Sequence, residues 1–256
     1  MKLLLKKLAN TSLGISIRNN FNFKNVLHKQ FNSSEAISVS DSFLWRTDNN
    51  FKTKFKFTDI LNMFYKIKNS RVEIHIYSKN NTLLKIEKIQ KLNLSNEFVI
   101  NAEYLDGLKD YGVFYIFHYS KTRIEKNNAI SNRCYLGYSQ NDSLYSFVHG
   151  NTYAKYNTIF TKGKINTNIV NTTIFKNQKY AIQKCFEGFD KNELFFANPT
   201  AKIIKFTIER KGHTLEPGFT KKILTSNPIL IIRSNCLFLR PTVFSFKNQY
   251  FDVHHS

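Results

Sequence analysis

The chain has 256 residues, of which 42% are hydrophobic, enough for one large domain or two small ones with a real core. No run of about 18 apolar residues occurs, which excludes an apolar transmembrane helix. The 24 Phe and 13 Tyr residues favour strands over helices.

The formal net charge of +20 has two interpretations. It would attract a polyanion such as nucleic acid, anionic lipid or an acidic glycan. Drift in an AT-rich genome would equally enrich Lys together with Asn, Ile, Phe and Tyr. The lysines are dispersed among the predicted strands, as on a solvated face, whereas nucleic-acid-binding proteins more often carry Arg-rich runs.

Residues 1–35 form a basic lead-in. They contain no acidic residue before Glu35, and the basic residues are Lys2, Lys6, Lys7, Arg18, Lys24 and Lys29. The apolar stretch Leu3–Leu5 is too short for a secretory signal, which needs about 7–15 apolar residues. The lead-in is either an organellar targeting peptide or a loosely ordered segment or first strand. We therefore expect a cytoplasmic protein, with an organelle as the alternative.

The first predicted module covers residues 36–145. Residues 51–57 read FKTKFKF, the alternation of a half-buried strand with a basic outer face. Residues 59–65 have helical spacing and predict one short helix, which Thr58 could cap. Residues 113–119 are almost continuously apolar, which predicts a central strand covered on both faces.

The second predicted module covers residues 146–256, and its strands are clearest from Leu194 to Phe246. Short apolar runs there are separated by Asn-Pro-Thr, Lys-Gly-His, Glu-Pro-Gly and Ser-Asn-Pro, which interrupt a strand ladder. We therefore predict an all-β fold: an antiparallel β-sandwich with two similar modules in tandem and one short helix.

Several kinds of chemistry lack their sequence signatures. The three cysteines, Cys134, Cys185 and Cys236, form no C-x-x-C pair, so we expect free buried thiols in a reducing compartment. Phosphate-binding glycine loops, the nucleophile elbow of hydrolases and the H-E-x-x-H zinc motif do not occur. We expect no cofactor, and a non-enzyme is favoured over an enzyme.

Two short segments supply the first candidate ligand-binding residues. Trp45 and Arg46 follow the first strand, where the indole could be a core anchor and Arg46 could line a site or form a loop ion pair. His149 and Asn151 flank Gly150, which lets the backbone approach a ligand closely while its neighbours supply donors and acceptors.

The C-terminal part adds three more candidates. Arg240 could donate to a carboxylated or phosphorylated ligand. Asp252 and His254 share one face of a strand, and with His149 as a third ligand they could hold a metal ion.

These motifs also carry a resemblance. The order of Asn-Pro, alternating strand, Pro-Gly, strand, Ser-Asn and Arg-Pro resembles immunoglobulin-like bacterial sandwich modules, such as those of the sensory-rhodopsin-transducer type. The chain also looks like an uncharacterised bacterial family with the motifs Trp45-Arg46, His149-Gly150-Asn151, Arg240-Pro241 and Asp252-Val253-His254. The resemblance covers residues 38–255 and implies a β-sandwich, and it brings no established activity.

Three functions are consistent with the sequence. The leading hypothesis is a non-catalytic binding protein that recognises a carbohydrate or a protein partner. The second is a basic nucleic-acid-binding or ribosome-associated protein, supported by the acid-free stretch 143–186 with its six lysines. The third is a metal-dependent enzyme with a His/Asp site.

Overall fold

Strands make up more than half of the part of the chain that the structure describes. The computed structural model describes residues 2–9, 11, 13–14, 17, 36–124, 129–131, 134–150, 153–160, 167–172, 178–182, 188–227, 229–236 and 239–255. Its strands are β1 (Ile37–Asp41), β2 (Phe43–Arg46), β3 (Phe51–Thr58), β4 (Arg71–Ser78), β5 (Leu83–Ile89), β6 (Ser95–Ile100), β7 (Tyr111–Tyr119), β8 (Ala129–Ser131), β9 (Tyr135–Gln140), β10 (Ser146–His149), β11 (Tyr153–Thr158), β12 (Thr167–Asn168), β13 (Gln178–Ile182), β14 (Lys191–Ala197), β15 (Ile204–Ile208), β16 (Lys211–Leu215), β17 (Thr220–Thr225), β18 (Leu230–Ser234), β19 (Thr242–Lys247) and β20 (Tyr250–His255). The all-β prediction is confirmed.

The helices are short. The α-helices with defined bounds in the described residues are α1 (Lys2–Ala9), which the sequence did not predict, and the expected α2 (Ile60–Tyr65). Two 3-10 helices cover Asp48–Asn50 and Glu103–Leu105. The cap of α2 is Asp59 rather than Thr58, because the Asp59 carboxylate accepts a hydrogen bond from the Asn62 N–H at 3.1 Å. Within the described part of the chain, no helix has the length and apolar character needed to cross a membrane.

The strands form five four-stranded sheets in two groups. Sheet I has the order β12-β11-β1-β8, sheet II β2-β7-β4-β5 and sheet III β10-β9-β3-β6. Sheet IV has the order β17-β14-β19-β20 and sheet V β13-β18-β15-β16. Sheets I–III are built from residues 37–168 and sheets IV–V from residues 178–255, which we call the first and second units.

The division between the two units lies later than the sequence suggested. The predicted boundary at 145/146 separates strands that pair with each other: β10 pairs with β9, and β11 pairs with β1. Strand pairing therefore places the boundary between residues 168 and 178. The units also differ in size, since the first has three sheets and the second has two.

Each unit has a sandwich core that follows from strand alternation. In β3, Phe51, Phe55 and Phe57 are buried, and the intervening lysines point outward, as predicted. These rings pack against the buried face of β4 in sheet II. The second core lies between sheets IV and V, where Phe196 packs on Phe206 with ring centroids 4.9 Å apart.

Strand β7 is the central strand of sheet II. It pairs with β2 and β4, and its residues 112–119 are buried, as its apolar run predicted. Beyond β2, two buried serines of β1 continue the contact with β7. The Ser40 hydroxyl accepts from the Ile116 N–H and the Ser38 hydroxyl from the His118 N–H, both at 2.9 Å. Side-chain oxygens here replace the carbonyls of a regular ladder.

The two units share an aromatic core at their junction. One face of sheet IV packs on sheet V, and its other face carries Phe195 and Phe244 into the core of the first unit. The Phe244 ring lies 5.6 Å from Phe51 and 4.7 Å from Tyr138, centroid to centroid, in edge-to-face arrangements. Such pairs add to the burial of apolar area.

Arg46 is fully buried at this junction. Its Nε lies 2.8 Å from Asp48 Oδ1, and its Nη2 lies 3.0 Å from Glu193 Oε2 in the second unit. The guanidinium carbon lies 3.7 Å from the ring centroid of Phe51 and 4.6 Å from that of Phe244. One side chain thus combines ion pairs with cation–π contacts across the two units.

We expect Ser40→Ala to lower the free energy of unfolding by about 1–3 kcal/mol, because it leaves the buried Ile116 N–H without an acceptor. Ser95 is an exposed strand residue, so Ser95→Ala is the matched control and should change stability by less than about 0.5 kcal/mol. Urea unfolding measures the change in free energy for both variants, provided that their m-values equal that of the unaltered protein. Equal effects of the two substitutions would show that the hydroxyl does not serve as a ladder acceptor.

Candidate functional site

Two of the predicted site residues belong to the core. Trp45 is fully buried, and its indole N–H donates to the Tyr77 carbonyl at 2.8 Å. Arg46 is fully buried in the junction between the units. Neither side chain is on the accessible surface, so in this structure both have packing roles rather than ligand contacts.

His149 ends strand β10 and points outward, and the glycine after it has a structural reason. A Cβ at Gly150 would lie 2.4 Å from Asp41 Oδ2 and 2.5 Å from Phe43 Cε1, so only glycine fits. The close approach predicted for this glycine is to the protein itself rather than to a ligand. Asn151 lies outside the described residues.

The C-terminal strand β20 brings its polar residues to the edge of β10. Asp252 accepts a hydrogen bond from the Ser146 hydroxyl, whose oxygen in turn accepts from the Val253 N–H at 3.1 Å. The histidine ring near His149 is that of His255, at 6.4 Å between centroids, whereas the sequence had suggested His254. Among the described residues, no group of three or more His, Cys, Asp or Glu side chains could hold a metal ion.

Arg240 lines a small pocket between the units. The pocket has an empty volume of about 450 Å³, which includes space open to solvent, and residues of both units line it, among them Leu44, Phe195 and Thr242. The lining is largely apolar and includes the half-buried Arg240. Arg240 and His149 are thus in different surroundings.

The most site-like surface is the outward face of sheet III. Strand pairing sets Lys54 opposite Gly137 and Lys56 opposite Tyr135, and the next strand sets Phe147 opposite Gly137 and His149 opposite Tyr135. Since residues in register share a face, these side chains form one surface. We call it the aromatic–lysine face, and it consists of Lys54, Lys56, Tyr135, Tyr145, Phe147 and His149.

The side chains of this face contact one another. The rings of Tyr135 and His149 are 4.5 Å apart between centroids. Lys54 Nζ lies 4.6 Å from the Tyr145 centroid, and Lys56 Nζ lies 5.4 Å from the Phe147 centroid. The lysines therefore lie beside aromatic rings rather than apart from them.

Gly137 lets the Phe147 ring lie down on the sheet. A Cβ at Gly137 would come within 2.6 Å of Phe147 Cε1, so a larger residue would push the ring away. Phe147 stays 43% exposed and Tyr135 49% exposed. Two half-exposed rings on a sheet surface provide area on which a planar or ring-shaped ligand can stack.

Carboxylates lie at the border of the face. Glu97 forms ion pairs with Lys54 at 3.2 Å and with Lys56 at 2.9 Å, and Lys52 pairs with Asp142. Hydrogen bonds from Lys56 and then Lys54 lower the pKa of Glu97. Three lysines against two carboxylates leave a net charge of +1, so the face attracts anions only weakly by itself.

Asp41 is a half-buried residue whose carboxyl group lies next to Gly150. Burial raises its pKa from 3.8 to about 7. Its Oδ1 is buried and has no hydrogen-bond partner among the described residues. Burial, and then the charge of Asp41, raises the pKa of the Cys134 thiol. Cys134 and Cys236 are buried, as predicted, and Cys185 lies outside the described residues.

Sequence reasoning found one residue of the face, His149, and left out Tyr135 and Phe147. The signal available was the Tyr135-x-Gly137 spacing, since a small residue in a strand leaves room for a neighbouring ring. Seeing it requires knowledge that β9 pairs with both β3 and β10, which the local pattern does not contain.

Comparisons of the chain with protein-family models, with curated proteins and with solved structures found no match. The resemblance to immunoglobulin-like bacterial modules and to a family with Trp-Arg, His-Gly-Asn and Arg-Pro motifs therefore stays a prediction. The function has to be argued from the site alone.

We expect Asp41→Asn to stabilise the protein increasingly as the pH rises. The folded state holds the Asp41 proton more tightly than the unfolded state does, so ionisation opposes folding once the pH exceeds 3.8. The stability gained by Asp41→Asn should grow between about pH 4 and 7 and level off above it. Urea unfolding of both proteins across this range measures the difference. A difference that is constant with pH would contradict the assignment.

Proposed function

We propose that this protein is a non-catalytic binding protein that recognises single-stranded nucleic acid on the aromatic–lysine face. The observation that carries the proposal is the placement of half-exposed Tyr135 and Phe147 beside Lys54 and Lys56 on one sheet surface. Unstacked bases bind to exposed aromatic rings, and lysines follow the phosphates between them.

The geometry matches the two components of such a ligand. The phenyl ring held down over Gly137 and the ring of Tyr135 are available for bases to stack on. Lys54 and Lys56 share one carboxylate, Glu97, so a phosphate can compete for them. The large net charge of +20 supplies the long-range attraction that the face itself lacks.

The leading hypothesis from the sequence, a carbohydrate ligand, becomes the second candidate. One observation favours it: Glu97 lies beside the rings and could accept hydrogen bonds from sugar hydroxyls. A neutral sugar, however, would make no use of the charge. A protein partner and a His/Asp metal site have no specific observation of this kind in their favour.

The test is binding of fluorescent oligo-uridylate to the whole chain by anisotropy. We expect Tyr135→Ala and Phe147→Leu each to weaken binding by about 1–3 kcal/mol, because each removes a stacking ring. Lys54→Gln together with Lys56→Gln should reduce the slope of log K against log salt by about 0.7 per lysine.

Matched controls come from exposed residues elsewhere. Tyr250→Ala removes a tyrosine that is 68% exposed on β20, and Lys88→Gln with Lys91→Gln removes two exposed lysines. If the control substitutions weaken binding as much as the substitutions in the aromatic–lysine face do, the attraction of the nucleic acid is non-specific. Failure to bind oligo-uridylate at low salt, combined with Tyr135-dependent binding on a glycan array, would overturn the nucleic-acid proposal in favour of carbohydrate.

A further inference from the structure

Helix α1 presents an apolar surface that the described part of the protein does not cover. Leu4, Leu5 and Leu8 are 66%, 57% and 56% exposed. Within the described residues, none of the five hydrophobic clusters includes a residue before Ala36. Exposed leucines grouped on one helix are typical of an interaction surface.

The helix is amphipathic by position. Residues 4, 5 and 8 have the i, i+1, i+4 spacing that places them on one stripe. By helical periodicity, positions 2, 3, 6 and 7 lie away from this stripe, and three of these four are lysine. The first turn contains no acidic residue.

The charge of the surrounding sequence has a single sign. Before Glu35 the chain carries five lysines and one arginine and no Asp or Glu. A short helix with leucines on one side and lysines on the other lies readily in the headgroup region of a bilayer. Anionic lipids attract each basic residue near the surface by about 1 kcal/mol.

We propose that α1 docks on an anionic membrane surface, with Leu4, Leu5 and Leu8 in the boundary between headgroups and acyl chains. Two alternatives explain less of the structure. A nucleic acid would contact the lysines but leave the leucines in water, and an apolar protein groove would bury the leucines without using the charge.

Helix length supports an external partner for α1. An isolated helix shorter than about 12 residues is marginal in water, and α1 has eight. Burial of its leucines in a bilayer would stabilise the helix. This inference is independent of the proposed nucleic-acid binding, since it rests on different residues.

The test is flotation of the whole chain with phosphatidylcholine vesicles that contain 30% phosphatidylglycerol, beside pure phosphatidylcholine vesicles. We expect the chain to bind the anionic vesicles. Each basic residue of α1 that is neutralised should reduce partitioning to these vesicles by at least about fivefold. Leu5→Glu with Leu8→Glu should reduce partitioning by at least about tenfold, because both leucines leave the apolar region.

The matched control is Leu94→Glu with Leu224→Glu, which alters two leucines of similar exposure, 57% and 59%, outside α1. It should bind the vesicles like the unaltered chain. The proposal is overturned if the chain does not bind anionic vesicles. It is also overturned if the α1 variant binds as well as the control, or if substitution of Lys54 and Lys56 abolishes vesicle binding instead.

Discussion

The buried guanidinium of Arg46 is the constraint on which the arrangement of the two units depends. A charge without exposure to water costs several kcal/mol unless opposite charges and hydrogen bonds surround it. Asp48 supplies one carboxylate from the same loop, and Glu193 supplies the other from 147 positions later in the chain. The second unit therefore has to be in place before Arg46 gains its second carboxylate, Glu193.

The network continues outward from Arg46 to partly exposed lysines. Lys222 Nζ lies 3.1 Å from Asp48 Oδ2, and Lys191 Nζ lies 2.9 Å from Glu193 Oε1. Burial alone would raise the pKa of Asp48, but hydrogen bonds and charges from Arg46 and Lys222 outweigh it, so the pKa is lowered. Each carboxylate at the junction thus has a cation from each side of the interface, which makes the docking of the units specific as well as apolar.

Strand β3 connects this junction to the aromatic–lysine face. Its inward residue Phe51 stacks on Arg46, and its outward residues Lys54 and Lys56 belong to the aromatic–lysine face. Because β3 is fixed on its inner side by a packed core, the outward lysines have a fixed backbone position. A binding surface on a rigid strand loses less entropy on binding than one on a loop.

The sequence predicted the features that depend on local residue patterns and missed those that depend on long-range strand pairing. The alternating β3 follows from a period of two residues and the helix α2 from a period of 3.6, whereas the buried β7 follows from an almost continuous apolar run. Across the predicted boundary at 145/146, β10 and β11 return to β9 and β1, a long-range choice that no local pattern records. For Arg46 the sequence left open a ligand site or a loop ion pair, and it could not indicate the partner Glu193, which is distant in sequence. Tyr135 and Phe147 were overlooked because the face forms only when three strands align.

The most direct measurement is a double-mutant cycle across the junction. Urea unfolding would measure the free energy of unfolding of Arg46→Met, of Glu193→Leu and of the double variant. Removing one partner should cost about 3–5 kcal/mol, since it breaks a buried ion pair and leaves its other member with one counter-charge fewer. The loss of stability in the double variant should be smaller, by at least about 2 kcal/mol, than the sum of the losses in the two single variants. Costs that add to within about 0.5 kcal/mol would contradict the account, because Arg46 and Glu193 would then not be coupled.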